Sequence, residues 1–337
     1  MYSSAYHKND ISNFRFLITG GAGFIGSHLV EYLMLHNAQK VIVVDDLSTG
    51  VIQNIEKFLD KDSFSFIHGD INDSELMYDA CTQVDFVLHQ AALGSVPRSI
   101  EFPLDSHHAN ATGFLNVLEA CRKTGIKRLV YASSSSVYGD SAELPKTEAV
   151  LGSPKSPYAV SKLVDELYAS VYSSMHEMEL IGLRYFNIFG PRQLPEGPYA
   201  AAIPLFILAA LSGQQPTVYG DGEQSRDFTF VANAVKANML ALFAPRESCG
   251  TQYNVACGRQ YSLNRILSLL NTMTSGELSS KHMKAREDDI RHSLADISKI
   301  EKTMKYKVDV FLEEGLKATF EWYRDVYLRS TSSNIGQ

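Results

Sequence analysis

FRFLITGGAGFIGSHLVEYL, residues 14 to 33, sets Gly20, Gly23 and Gly26 between an apolar strand-like run and an amphipathic helix. A glycine triplet alone is common; a strand before it and a helix after it give it meaning. The glycines permit a tight turn, close backbone approach to a pyrophosphate and close helix–strand packing, and the helix N-terminus then faces the anion. Gly20, Gly23, Phe24, Ile25 and Gly26 are therefore the candidate phosphate cradle of a dinucleotide. The next run, KVIVVD (40–45), ends at Asp45, 19 residues after Gly26. A carboxylate there accepts hydrogen bonds from ribose hydroxyls and repels a 2′-phosphate, which favours NAD over NADP. Asp46 adds a second negative charge. In HGDIND (68–73), Asp70 and Ile71 either border the adenine or form an ordinary strand-to-loop turn.

Outward from this unit, FSFIHG (64–69), VDFVLHQ (84–90), KRLVYAS (127–133) and ELIGLRYF (179–186) read as further buried strands. Their near-continuous apolar character predicts a parallel sheet covered on both faces. The stretches 24–36, 104–124 and 158–177 have helical spacing. The alternation predicts an α/β fold, a Rossmann-type doubly wound parallel sheet, with a smaller C-terminal substrate-binding lobe. Residues 1–186 form the expected NAD-binding domain, with later segments, about 225–260, returning to it; residues 187–337 form mainly the lobe. Residues 1–12 and 330–337 are polar and expected to be mobile.

The chain has 337 residues, 45% hydrophobic and 20% charged, with a net charge of −7. That balance suits a globular protein and argues against general affinity for nucleic acid. Cys81, Cys121, Cys249 and Cys257 show no CxxC pair and no zinc-ligand spacing, so buried free thiols and no metal are expected. The N-terminus lacks a secretory layout. The longest apolar stretch, Tyr199 to Leu211, is broken by Pro204 and falls short of the ~20 residues of a membrane span. A cytoplasmic protein without membrane partners is expected.

YASSSSVYGD (131–140) puts four serines at the C-terminal end of a strand, where open α/β sheets hold ligands. SPYAVSK (156–162) then presents Tyr158 and Lys162 at i and i+4, on one helical face. YxxxK alone arises by chance; behind an NAD site, and 24 residues after Ser134, it carries chemistry. Oxidising an alcohol removes its O–H proton as hydride leaves carbon. A phenol, with an ordinary pKa of about 10, is a poor base near neutrality unless a nearby cation stabilises the phenolate. Tyr158 is the candidate general base and acid, Lys162 its electrostatic partner and a ligand of the nicotinamide ribose, and Ser134 the group that holds the substrate oxygen.

With these residues in view, the chain resembles the extended short-chain dehydrogenase/reductase family. The likeness runs through TGGAGFIG, HQAALGSVPRSI, SSSSVYGD, SPYAVSK, LRYFNIFGPRQ, GDGEQSRDF and REDDIRHSLADISK. Within it the chain is most similar to UDP-hexose 4-epimerases, especially those acting on UDP-N-acetylglucosamine. The resemblance implies a catalytic set of Ser134, Tyr158 and Lys162, with Ser135 and Ser136 beside it. It implies cofactor contacts at Gln90, Ala91, Ala92, Asn110 and Tyr185. It implies UDP-sugar contacts at Ser95, Asn187, Ala201, Arg226, Arg286 and Asp289, the arginines gripping the diphosphate and the aspartate a ribose. A homodimer through helices near 104–124 and 158–177 is implied in the same way. Asp46, a further implied cofactor contact, departs from the asparagine of many relatives, a change that leaves the choice of NAD intact.

Similar 4,6-dehydratases carry Thr-Asp-Glu before the Val-Tyr-Gly, and similar decarboxylases a glutamate. Ser135 and Ser136 stand there instead, which disfavours both. The epimerase resemblance implies that Tyr158 takes the O4 proton as C4 gives hydride to NAD, that the 4-keto sugar turns over, and that both return on the other face. Relatives restricted to unacetylated sugars typically carry tyrosine four residues beyond Asp289; here Ser293 leaves room for an N-acetyl group. UDP-N-acetylhexosaminuronic acids and UDP-galactose remain alternative substrates, and a 4,6-dehydratase the less favoured reaction.

Overall fold

The computed structural model describes residues 1–195, 200–274, 278–285 and 290–333, with side chains through Leu328. Seven strands make the central sheet: β1 Arg15–Thr19, β2 Lys40–Asp45, β3 Phe64–His68, β4 Phe86–His89, β5 Arg128–Ser134, β6 Glu179–Tyr185 and β7 Thr251–Val255. They are all parallel, in the order β3-β2-β1-β4-β5-β6-β7. The first six lie within two residues of the apolar runs. The seventh brings the chain back to the sheet after residue 187.

The helices that matter here are α1 Phe24–Leu35, α2 Ser74–Thr82, α3 Val96–Glu101, α4 Pro103–His107, α5 Gly113–Thr124, α6 Pro157–His176, α7 Ala202–Ser212 and α8 Val231–Leu242. Side chains alternate across the strands and so build two apolar layers. Phe16, Ile18, Val41 and Val43 pack with Leu29, Val30 and Leu33 of α1 and Val235 and Met239 of α8. Leu17, Ile42, Val44 and Val87 pack with Met77 of α2 and Phe114 and Val117 of α5 on the other face. The strand order reverses between β1 and β4, and such a switch point opens a crevice beyond the strands' C-terminal ends.

Three expectations are corrected. The stretch 104–124 is not one helix: α4 and α5 are joined by a π-helical turn, His108–Thr112. The first twelve residues are not a loose tail. Tyr2 and Ile11 are each 1% exposed, and Tyr6 stacks on Tyr32. The Tyr2 hydroxyl lies 2.8 Å from His28 Nδ1, and His28 Nε2 lies 2.9 Å from the carbonyl of Pro191. A carbonyl only accepts, so His28 Nε2 carries the proton and Tyr2 donates to Nδ1. Aromatic burial thus anchors a polar-looking arm. Cys81, Cys121 and Cys257 are buried free thiols, but Cys249 is partly exposed beside the Arg246–Ser248 turn. Of the polar C-terminal end, the helix Leu312–Ser333 reaches Ser333, and residues 334–337 lie outside the described residues. Among the described residues no helix is long and apolar enough to cross a membrane.

Candidate active site

A cleft of about 700 Å³ opens at the switch point. At one end lies the glycine turn. Gly20 has φ +68°, and a Cβ there would stand 2.6 Å from Ala91 N; one on Gly26 would stand 2.1 Å from Gly20 O. No side chain fits at either position, so the backbone itself is the wall. Helix α1 starts at Gly23 with no side-chain cap and no acidic residue in its first turn, leaving outward N–H groups for an anion. Phe24 and Ile25 complete this wall, and Asp45, Asp46, Asp70 and Ile71 line the same end. Asp45 accepts from Ala22 N and Leu47 N, both at 2.9 Å, so it also braces the turn. Burial pushes its carboxyl up, with these hydrogen bonds opposing. Asp46 and Asp70 are exposed and bond within their own loops, to Ser48 and Asn72. An uncapped helix start facing a carboxylate one strand away fits a dinucleotide with free ribose hydroxyls.

The other end lies beyond β5. Ser134 closes the strand, and its Oγ accepts from Ser136 N at 3.1 Å to start the turn Ser135–Tyr138. Helix α6 begins with Ser156 accepting from Ala159 N at 3.1 Å and Pro157 at its first position, two independent start signals. They fix the phase of the helix, which brings Tyr158 and Lys162 into the cleft with Ser134, Ser135 and Ser136. Tyr158 is half-buried and Lys162 is 1% exposed. Burial disfavours the ammonium, but Asp165, Tyr158 and Glu166 more than offset it, leaving Lys162 above its ordinary range.

Behind this pair, Arg184 of β6 grips Glu166 of α6 with two bonds of 2.8 Å, and Ser133 of β5 donates to the same carboxylate at 2.6 Å. Between the two ends Tyr185 donates to Gln90 at 3.1 Å, Gln90 to Asn238 at 3.2 Å, and Asn238 back to the Tyr185 hydroxyl at 2.7 Å. This closed ring fixes two cleft-lining side chains.

Ala91, Ala92, Ser95, Asn187 and Ala201 also line the cleft. Asn110 does not: the π-helical turn carries it inward, where it accepts from Leu93 N at 2.8 Å and donates to Ser161 Oγ at 3.0 Å. It therefore ties the loop behind Ala91 and Ala92 to α6 rather than facing the cleft. Arg226 lies outside the cleft wall, on a two-residue strand, and donates to Ser225 O at 2.9 Å. Ser293 is half-buried and likewise off the described wall; its N–H bonds to Ser225 O at 3.0 Å. Arg286 and Asp289 lie outside the described residues.

The sequence reading passed over Arg98 and Arg192, both on the cleft. Each stands in a quoted motif, GSVPRSI and FGPRQ, which was the available signal. Arg192 bonds to Ser27 and Glu31 of α1, and Glu31 also holds Lys57 at 2.8 Å. Burial raises the Glu31 carboxyl, but Lys57 and Arg192 hold it at about 2.

Residues 16–256 match the NAD dependent epimerase/dehydratase family. The chain is 36% identical over 311 residues to a putative UDP-glucose 4-epimerase of Methanocaldococcus jannaschii, covering 92% of this chain and 98% of that one. It is 32% identical over 323 residues to a UDP-N-acetyl-alpha-D-glucosaminuronate decarboxylase of Bacillus cytotoxicus, covering 93% and 98%. Among solved structures it is similar to the UDP-N-acetylglucosamine 4-epimerase of Methanobrevibacter ruminantium in complex with UDP-N-acetylmuramic acid: TM-score 0.88, 38% identity, 93% of this chain and 99% of that one.

Proposed function

The chain belongs to the NAD dependent epimerase/dehydratase family and is an NAD-dependent UDP-sugar 4-epimerase, an isomerase, and we propose that its substrates are UDP-N-acetylglucosamine and UDP-N-acetylgalactosamine. One observation carries the choice of epimerisation over dehydration or decarboxylation. The described carboxylates on the cleft wall, Asp45, Asp46 and Asp70, lie at the end of β2 or just beyond β2 and β3. Three strand spacings, roughly 14 Å, separate β2 from β5. Among the described residues, Tyr158 shares its end of the cleft with serine hydroxyls and Lys162 but with no carboxylate on the wall, so no second carboxylic acid or base is at hand there for an elimination.

In this reading the sheet portion holds NAD and the chain from residue 187 supplies most of the UDP-sugar contacts. NAD, held by the glycine turn and Asp45, would supply the reversible hydride acceptor for C4. Ser134 holds the O4 oxygen, and Tyr158 Oη takes the O4 proton while the Lys162 ammonium stabilises the phenolate. The 4-keto sugar turns about its phosphate link, and Tyr158 gives the proton back on the opposite face. Asn187 and the arginines of the lobe, Arg226 and Arg286, with Asp289, anchor the nucleotide. Proton and hydride each return to the sugar, so nothing is consumed.

The N-acetyl preference rests on Ser293. Its backbone is pinned by the bond to Ser225 O, and Lys146 N bonds to the next carbonyl, Leu294 O, at 2.7 Å. A larger side chain there must occupy space rather than move the backbone. The test is a panel of UDP-hexoses, UDP-N-acetylhexosamines and their uronic acids, with products resolved by NMR. The purified protein should carry NAD, need no added reductant and turn over the N-acetylhexosamines best. Ser293→Tyr should lower kcat/KM on N-acetylated sugars by roughly 5- to 150-fold and spare UDP-glucose and UDP-galactose. Equal losses on both pairs, or none, would place Ser293 outside the sugar's path.

The same reading includes a homodimer working in the cytoplasm on precursors of surface polysaccharide. Helix α6 shows Val160, Leu167, Val171 and Met175 to solvent, and Ile100, Phe102 and Leu104 stand exposed on α3, α4 and their junction, Leu104 at 82%. An apolar surface of this kind marks a protein interface. Sedimentation at micromolar concentration should give twice the chain mass; a monomer there would overturn the dimer.

A further inference from the structure

Lys162 faces a carboxylate as well as the Tyr158 phenol. Its Nζ lies 3.0 Å from Oδ2 of Asp165, one helical turn on, and the two side chains are 1% and 0% exposed. Among the described residues Asp165 Oδ1 has no hydrogen-bond partner. A buried carboxylate with one oxygen unpaired costs stability, because neither water nor a backbone N–H compensates it. Packing does not require a charge there: α6 turns Leu163, Val164 and Ala169 toward partly or fully buried surroundings nearby.

We propose that Asp165 is a positioning residue that acts on Tyr158 through Lys162, its buried charge offsetting part of the ammonium's field and so setting the pH range in which Tyr158 serves as base. The proposal rests on the reading of Tyr158 and Lys162 as the acid–base pair.

The charges around Lys162 are few. On α6 the charged groups are Asp165 and Glu166, beside the Tyr158 phenol. Glu166 is already matched by Arg184 of β6. From β4 comes His89, whose imidazole burial and the Lys162 charge hold down at about 3, so it is neutral. On α3, α4 and the π-helical turn, Glu101, Asp105, His107 and His108 are exposed and Arg98 is on the cleft wall. Asp165 is thus the one unmatched carboxylate against the lysine among the described residues. Burial carries its carboxyl up to about 6 against the pull of Lys162, so it is charged at neutral pH. With Asp165 ionised, the lysine and aspartate form a neutral pair. The phenolate then gains less from the lysine than it would from an uncompensated ammonium.

The direction of the effect follows. Asp165→Asn keeps the shape and leaves an amide oxygen for Lys162, but it removes the negative charge. Tyr158 should then lose its proton at lower pH, by on the order of one pH unit, and the acid limb of the kcat profile should move the same way. A residue that merely held the lysine in place would move neither, since the amide still holds it.

Two readouts on NAD-loaded protein test this. The first is titration of the near-ultraviolet phenolate band, taken as the difference from Tyr158→Phe, in wild type and Asp165→Asn. The second is the pH dependence of kcat. An acid shift in both supports the proposal; superimposable curves overturn it. If the asparagine variant does not fold, Asp165→Ser is read in the same way, and its unshifted titration is equally fatal. A shifted titration in a protein that turns over no UDP-sugar would support the role of Asp165 and overturn the substrate reading instead.

Discussion

Tyr158→Phe is expected to lower kcat by about 10²- to 10⁴-fold, the usual range for a lost general acid–base group. The Tyr158 hydroxyl makes no hydrogen bond among the described residues and the ring is only half-buried, so the fold loses little with it. KM for the UDP-sugar should stay near that of wild type, because the proton is in flight only in the transition state. Residual turnover should come from substrate held against Ser134, whose hydroxyl remains anchored at the end of β5. Steady-state kinetics of both proteins on UDP-N-acetylglucosamine decide the matter. A kcat within a few-fold of wild type would take Tyr158 out of the reaction, and a large rise in KM alone would make it a binding group.

Much of this was open to inspection in the chain. The strands are nearly uninterrupted apolar runs, so period and burial agree, and six of seven are read directly. The glycine turn is legible because Gly20 and Gly26 face backbone at distances no side chain tolerates. Helix α6 shows what sequence pattern hides. Its period is plain, but its polarity is inverted: Lys162, Asp165 and Glu166 point inward while Leu167, Val171 and Met175 point outward. Read by the usual rule, that inner face is the solvent face. Asp165 and Glu166 therefore pass for ordinary surface charges until β5 and β6 are set against them. Asn110 is read from resemblance alone, and its hydrogen bonds to Leu93 and Ser161 appear only once the fold sets the loop after β4 against α6. The N-terminal arm misleads because three aromatic contacts, not composition, hold Tyr2 down.

Glu166→Ala is expected to cost about 3–5 kcal/mol of stability, the range for breaking a buried ion pair from one side. Arg184 is 2% exposed, and burial alone would disfavour its charge; the paired carboxylate more than offsets this and keeps it above the ordinary range. Without Glu166 the guanidinium retains the Tyr138 hydroxyl at 3.0 Å and the Glu148 carbonyl at 3.1 Å, but loses its paired carboxylate. Ser133 also loses its acceptor. The site feels the change because the carboxylate joins α6 to β5 one residue before Ser134, and so sets the catalytic helix against the catalytic serine. Glu166→Gln keeps the shape and one acceptor, so it should fall between wild type and alanine. Urea unfolding of the three proteins, with kcat measured on the folded fraction, separates the two consequences. A loss under 1 kcal/mol for alanine would mean that water reaches Arg184. Full stability with reduced kcat would make Glu166 a group that orients α6 rather than one that holds the fold.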